Sequence, residues 1–188
     1  MKNCQHKKER VKNTVLMALL VLTGQWTLAQ YKPEDSESSL KFTIKNLGFG
    51  VSGSFTGLQG TIRFDPAHPQ DASFDVSIDA NTVNTDNTMR DDHLRAGSYF
   101  DVKNYPRIHF VSEKVVPSNK KDSWILSGKL TIKNHTQDIS FPFSATASGG
   151  GYLFKGTFSI KRRDFEVGGF STISDELEVS LNVSAKQN

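Results

Sequence analysis

Apolar and polar residues alternate along most of the chain after residue 39. Every second side chain is apolar in residues 40–44 and 74–78, and the same pattern returns in residues 124–132 and 177–183. A period of two places the apolar side chains on one face of a β-strand. The pattern therefore predicts strands that are buried on one side and solvated on the other.

Turn-forming residues separate these runs at Asp65-Pro66, Ser118-Asn119, Lys133-Asn134 and residues 149–151. Counting residues 51–64 as a hairpin and residues 31–39 as a loose polar lead gives about eight or nine strands. Five glycines between residues 48 and 60 indicate strong curvature. The prediction is an all-β antiparallel domain. Curvature favours a closed barrel, although the corners of a sandwich use similar residues.

One segment departs from the strand pattern. Thr88 with Asp91 three residues later fits a capping box, which predicts a short helix from Met89 to about Ala96. The spacing of Asp91 and Arg95 predicts an ion pair along this helix. We place the helix in a long crossover between strands, followed by a loop over residues 97–106.

The first 29 residues have the pattern of a secretory signal peptide. Basic residues precede an apolar run over residues 14–22, which is too short to span a bilayer, and Ala29 offers a small residue before Gln30. We expect cleavage there, leaving residues 30–188 as one exported domain, periplasmic or secreted. An uncleaved anchor is the alternative.

Removing that segment leaves 18 basic and 19 acidic residues, so the expected mature chain has no basic surface for nucleic acid. No second apolar span follows, and we expect a protein that does not span the membrane. The only cysteine, Cys4, leaves with the signal peptide. No histidine pair has metal-ligand spacing, so the sequence predicts no metal, no cofactor and no catalytic residue.

Two polar clusters have alternative interpretations. Asp91, Asp92 and His93 would be the acid–base or metal groups if the protein were an enzyme, although helix capping and ion pairing explain them more simply. The basic cluster over residues 161–163 is typical of a solvated strand end. It would otherwise meet an anionic headgroup.

Phenylalanine is the residue type that stands out, with 13 copies, all after residue 29. Most fall on the apolar face of predicted strands, where they either fill a core or line a lumen for an apolar ligand. The candidate ligand-binding residues are Phe42, Ile44, Asn46, Phe55, Phe74, Val76, Ile78, Arg90, Phe110, Leu126, Leu130, Phe141, Phe143, Phe154 and Phe158.

Two blocks of sequence, residues 40–66 and 89–110, resemble the YceI-like family, a lipocalin-like group associated with polyisoprenoid binding. The second block is the more specific, and shorter matches follow at residues 128–132 and 163–165. The residues of that block that fit the family pattern are Arg90, Asp91, His93, Leu94, Phe100, Asp101, Tyr105, Pro106 and Phe110. Departures are Asn46 where many members carry histidine, Tyr99 for phenylalanine, and Glu166 for glycine.

The resemblance implies an eight-stranded antiparallel barrel that holds a long-chain isoprenoid or fatty-acid-like lipid, with residues 90–94 and the next loop capping one end. We therefore expect a non-enzymatic carrier or sequestering protein whose assembly, monomer or homodimer, the sequence leaves open. An enzyme acting on such a lipid and a ligand-free structural or stress-related barrel are the alternatives.

Overall fold

The computed structural model describes residues 29–187, which form nine strands and one α-helix. The predicted signal peptide, apart from Ala29, lies outside the described residues. Across residues 29–187, no helix has the length and apolarity that a membrane span requires. The elements are β1 (Gln30–Pro33), β2 (Ser39–Asn46), β3 (Phe49–Arg63), β4 (Ser73–Asn84), α1 (Thr88–Arg95), β5 (Arg107–Pro117), β6 (Ser123–Ile132), β7 (His135–Ser148), β8 (Gly151–Lys161) and β9 (Ile173–Gln187).

The strands form one closed antiparallel sheet. Its order is β3-β2-β9-β8-β7-β6-β5-β4, and β4 pairs back with β3, for example at Thr61 and Asp75. Closure pairs β3 with β4, which would otherwise be the two edge strands of the sheet. The predicted eight-stranded antiparallel barrel is confirmed, because β1 and β2 share one of the eight positions.

The segment predicted as a loose lead is instead part of the barrel. In β1, Tyr31 pairs with Ile62 of β3 and with Gln187 of β9, and its side chain is buried. A single 3-10 turn at Asp35–Glu37 separates β1 from β2, and the Asp35 carboxylate accepts a hydrogen bond from Leu58 N at 2.7 Å. The prediction was wrong because four residues are too few to reveal a period of two.

The prediction of a hairpin over residues 51–64 is also wrong, because these residues belong mostly to β3, a single strand of 15 residues. Gly57 and Gly60 have φ values of +72° and +140°, and the register with β4 shifts between Thr56 and Gln59. These glycines bend the strand around the barrel without reversing it. Curvature was predicted correctly, whereas the turn was not.

Helix α1 lies in the predicted crossover between β4 and β5. It is capped by Asn87, whose side chain accepts a hydrogen bond from Arg90 N at 3.0 Å, so Thr88 is the first helical residue and not the cap. The predicted Asp91–Arg95 pair is wrong. Arg95 pairs with Asp92 at 3.0 Å, while Asp91 is buried and faces Thr85.

The two ends of the barrel differ. One end, which we call the floor, is packed with aromatic rings around the fully buried Phe64, whose ring centroid lies 5.0–6.3 Å from five others. Those five rings belong to Phe74, Trp124, Phe143, Tyr152 and Phe154. Burial is the main cause that raises the pKa of Tyr152 above its ordinary value.

The other end, which we call the mouth, carries the β2–β3 turn, the β4–β5 crossover with α1, the β6–β7 turn and the β8–β9 connection. In an antiparallel barrel, alternate connections lie at the same end, so these four segments surround one opening. Arg90 and Arg162 lie in two of these segments, and Asn46 lies next to a third.

Candidate ligand-binding cavity

A cavity of about 500 Å³ extends from the mouth to the floor. This volume lies within the range of about 300–1,000 Å³ that is common for small-molecule sites. Most side chains around it are aliphatic or aromatic, and all nine strands except β1 contribute to its wall. The interior of the barrel is therefore packed at one end and open at the other.

All fifteen candidate residues lie around this cavity. Six of them are buried, namely Phe74, Leu126, Leu130, Phe141, Phe143 and Phe154. Seven apolar candidates are half-buried along the wall, namely Phe42, Ile44, Phe55, Val76, Ile78, Phe110 and Phe158. Incomplete burial of large apolar side chains leaves surface for a ligand to cover. That they contact a ligand stays a prediction.

Arg90 lies on α1 at the mouth, with its guanidinium held in a fixed orientation. Its Nε donates to Thr85 Oγ1 and its Nη2 to the Thr85 carbonyl, both at 2.7 Å. The same Thr85 hydroxyl donates to the buried Asp91 carboxylate at 2.5 Å. Two of the five guanidinium N–H groups are used in this way, so the others are available to a polar group in the cavity.

Asn46 also borders the mouth, at the end of β2. Its side-chain oxygen accepts a hydrogen bond from Thr172 Oγ1 at 2.8 Å, and the neighbouring Leu47 N donates to the Thr172 carbonyl at 3.3 Å. Asn46 therefore joins the β2–β3 turn to the β8–β9 connection. The amide nitrogen of its side chain makes no hydrogen bond to another described residue.

Arg162, interpreted from sequence as a solvated strand end, is buried beside the cavity. Its guanidinium donates to the carbonyls of Val167, Ser174 and Ile173 at 2.9, 3.0 and 3.1 Å. These bonds hold the β8–β9 connection against the barrel. The solvated interpretation is wrong for Arg162, because a single arginine inside a basic run gives no periodic signal for burial.

The acid–base cluster that an enzyme would need is divided among structural contacts. Asp91 accepts hydrogen bonds from both the backbone N and the hydroxyl of Thr85, and Asp92 pairs with Arg95. Only His93 of the three candidates borders the cavity. Within residues 29–187, no group of three or more His, Cys, Asp or Glu side chains is placed to hold a metal ion.

Sequence reasoning missed two parts of the wall. Leu177, Val179 and Leu181 of β9 line the cavity, and their alternation was visible but was not included among the candidates. Tyr99 and Phe100, from the loop after α1, also line it. That loop has no periodicity, so only its packing over the barrel end could reveal the contact.

This geometry can be compared with known proteins. Residues 31–185 match the YceI-like domain over nearly all of the described chain. This chain belongs to the YceI-like family. Among its relatives is a "UPF0312 protein" of Yersinia pestis (strain Pestoides F), 31% identical over 182 residues, which cover 92% of this chain and 94% of the relative.

Solved structures share the YceI-like barrel. The crystal structure of BcnA from Burkholderia cenocepacia superposes with a TM-score of 0.76 at 26% identity, covering 80% of this chain and 98% of BcnA. A polyisoprenoid binding domain from Saccharophagus degradans, implicated in plant cell wall breakdown, gives a TM-score of 0.66 at 15% identity, covering 86% and 100%. The latter likeness concerns the fold alone.

Proposed function

We propose that this YceI-like protein is an exported, non-enzymatic lipid carrier or sequestering protein, acting in the periplasm or after secretion. Its ligand is a polyisoprenoid or another long-chain amphiphile. The observation that carries the proposal is the apolar cavity of about 500 Å³, open at one end and closed by aromatic rings at the other. The polyisoprenoid-binding domain with the same fold supports this choice of ligand class.

The physical basis is transfer of an apolar tail out of water. Each CH₂ group that enters the cavity contributes about 0.8 kcal/mol. The half-buried wall residues supply the apolar surface, and branched prenyl units suit a wall built from aromatic and β-branched side chains. The tail lies toward the floor, because aromatic side chains such as Phe74, Phe143 and Phe154 close the cavity there.

A polar or anionic headgroup stays at the mouth, where Arg90 and Asn46 border the cavity. The Arg90 guanidinium is held by Thr85 and keeps free N–H donors, which suits a phosphate or carboxylate. The side-chain N–H groups of Asn46 suit a neutral oxygen acceptor. The tail thus sets affinity, while the mouth sets the preferred headgroup.

Native mass spectrometry of the exported protein from its own host tests this proposal. We expect protein with a bound lipid, and uptake of a prenyl alcohol by the delipidated protein. The matched pair Val179→Trp and Ser180→Trp separates the lumen from the outer surface, because adjacent strand residues point to opposite faces. Val179 lines the cavity and Ser180 is exposed.

We expect Val179→Trp to reduce prenyl alcohol binding by about tenfold or more, through lost volume, and Ser180→Trp to bind normally. Protein that carries no lipid and takes up no prenyl alcohol would overturn the proposal. Equal binding by the two variants would show that a bound lipid lies elsewhere.

A further inference from the structure

Four large apolar side chains stand exposed at the mouth, and we name them the apolar rim: Leu47, Phe49, Met89 and Phe170. Their exposed fractions are 71%, 78%, 74% and 96%. Across residues 29–187, one other large apolar side chain is exposed. It is Val111 of β5, which lies on the outer surface of the barrel and is 38% exposed. Clustering at one end is notable because exposed apolar patches commonly mark interaction sites.

The β2–β3 turn holds leucine where the backbone disfavours it. Leu47 and Gly48 are the two turn residues and have φ values of +50° and +84°. This left-handed conformation suits asparagine and glycine, and a leucine there is strained. Leu47 is therefore a poor choice for folding and, being largely exposed, it stabilises no core.

Hydrogen bonds join two of the three segments that carry the rim. Thr172 binds both Asn46 and Leu47 N, which ties the turn bearing Leu47 and Phe49 to the connection bearing Phe170. The Arg163 guanidinium lies 5.4 Å from the centroid of the Phe170 ring, a cation–π contact. Met89 both belongs to the rim and lines the cavity, so the rim is continuous with the lumen.

We propose that the apolar rim docks on a lipid bilayer, placing the mouth against the membrane so that a ligand passes between bilayer and lumen without crossing water. The inference rests on the proposed function for its purpose. Its evidence is separate, namely the exposure and strain of the rim. Two arginines near the rim are neutralised by ion pairs, Arg163 with Asp175 and Arg95 with Asp92, and we assign the attraction to burial of the apolar side chains.

Sedimentation with phosphatidylcholine vesicles tests docking. We expect the wild-type protein to bind them and to stay bound at high salt, because burial of apolar groups is not screened. Leu47→Asn, Phe49→Gln and Phe170→Gln should each weaken binding by about tenfold, whereas the wall variant Val111→Thr should leave it unchanged.

Leu47→Asn is the most informative variant, because it should weaken vesicle binding without lowering the stability of the fold. Asparagine relieves the strained turn, so the Tm should stay the same or rise while vesicle binding falls. A loss of vesicle binding with a lower Tm in this variant would instead point to damage to the fold, and intact binding in all three rim variants would overturn docking.

Farnesol, a short prenyl alcohol, separates docking from ligand binding. The variants of Leu47, Phe49 and Phe170 lie outside the cavity wall and should bind farnesol normally, whereas Val179→Trp should bind vesicles but not farnesol. Farnesol uptake without vesicle binding by the wild type overturns docking alone. Vesicle binding without farnesol uptake overturns the lipid-carrier function alone.

Two further results would also overturn docking. One is binding only to vesicles that contain phosphatidylglycerol, with release by salt, which would make the contact electrostatic. The other is a dimer in solution that the rim variants dissociate while no vesicle binding occurs, which would make a second copy of the chain the occupant.

Discussion

Arg162 and Arg163 show how much the environment of two adjacent, chemically identical side chains can differ. Arg162 is buried and donates to three backbone carbonyls, that of Val167 in the β8–β9 connection and those of Ile173 and Ser174 at the start of β9. Arg163 is exposed and pairs with Asp175 at 3.0 Å. A buried carbonyl that loses its donor costs far more than a surface ion pair contributes, so the two residues have unequal weight in stability.

We predict that Arg162→Gln lowers the free energy of unfolding by about 2–4 kcal/mol, since the shorter side chain leaves buried carbonyls without donors. The matched change Arg163→Gln should cost about 1 kcal/mol or less. Urea denaturation of both variants measures the difference. Similar losses in the two variants would show that Arg162 does not hold the connection.

Asp175 makes stability depend on pH. Its hydrogen bond with the Arg163 side chain is the main cause that lowers the pKa of the Asp175 carboxyl below its ordinary value of 3.8. A carboxyl with a lower pKa in the folded state contributes stability that is complete above the unfolded pKa. That contribution is lost as the pH falls through the folded pKa.

We therefore predict that the urea midpoint of the wild type falls on acidification below that ordinary value, and that Asp175→Asn shows a smaller fall. Denaturation curves at a series of acidic pH values measure this. If the urea midpoint of Asp175→Asn fell as much as that of the wild type, other carboxyls would cause the acid dependence. Asp65 is one such group, because its hydrogen bond with His68 is the main cause that lowers its pKa.

At the scale of elements, β3 is the strand on which closure of the barrel depends. It is long enough to pair with β1, β2 and β4, and its bend falls at glycines. Two features of the structure require glycine at position 60. Its φ of +140° is disfavoured for other residues, and a Cβ there would lie 2.7 Å from Val76 Cα in β4.

We predict that Gly60→Ala lowers the free energy of unfolding by about 2–4 kcal/mol, through strain and displaced pairing with β4. Gly50→Ala, in the same strand, is the control because a Cβ there meets nothing nearer than Thr43 Cγ2 at 4.0 Å. It should change stability by about 1 kcal/mol or less. Equal losses in thermal unfolding would contradict the role of Gly60.

For the whole molecule, the unequal ends of the barrel link stability to ligand. The floor is packed and the cavity near the mouth is not, so a bound tail fills space that the protein leaves open. A ligand that binds only the folded state stabilises it by about 2.7 kcal/mol at a free concentration of one hundred times its Kd. When the cavity is empty, the floor and a second buried cluster around Phe165 and Ile132 supply the packed core.

We predict that a saturating prenyl alcohol raises the Tm of the wild type by about 5–10 °C. Val179→Trp should show little or no increase, while Ser180→Trp should match the wild type. Differential scanning calorimetry on delipidated protein provides the measurement. A Tm that is insensitive to prenyl alcohol in all three proteins would mean that the cavity does not take up such a chain.

Sequence by itself determined which face of each long strand is buried. A period of two is a local property, and it marked Phe42, Val76 and Phe158 as inward-facing regardless of how the sheet closes. The block over residues 89–110 likewise indicated the family, the crossover helix and Arg90 as a residue at the mouth. For these features, local pattern was enough.

Only the tertiary structure decided where along the barrel the interior is filled. Phe64 of the floor and Phe158 of the wall carry the same side chain, but depth depends on register between strands distant in sequence. The sequence did not predict the short strand β1 or the burial of Arg162 for the same reason, since each depends on partners that are distant in the sequence. The barrel was predictable from the chain, whereas its open end required the closed sheet.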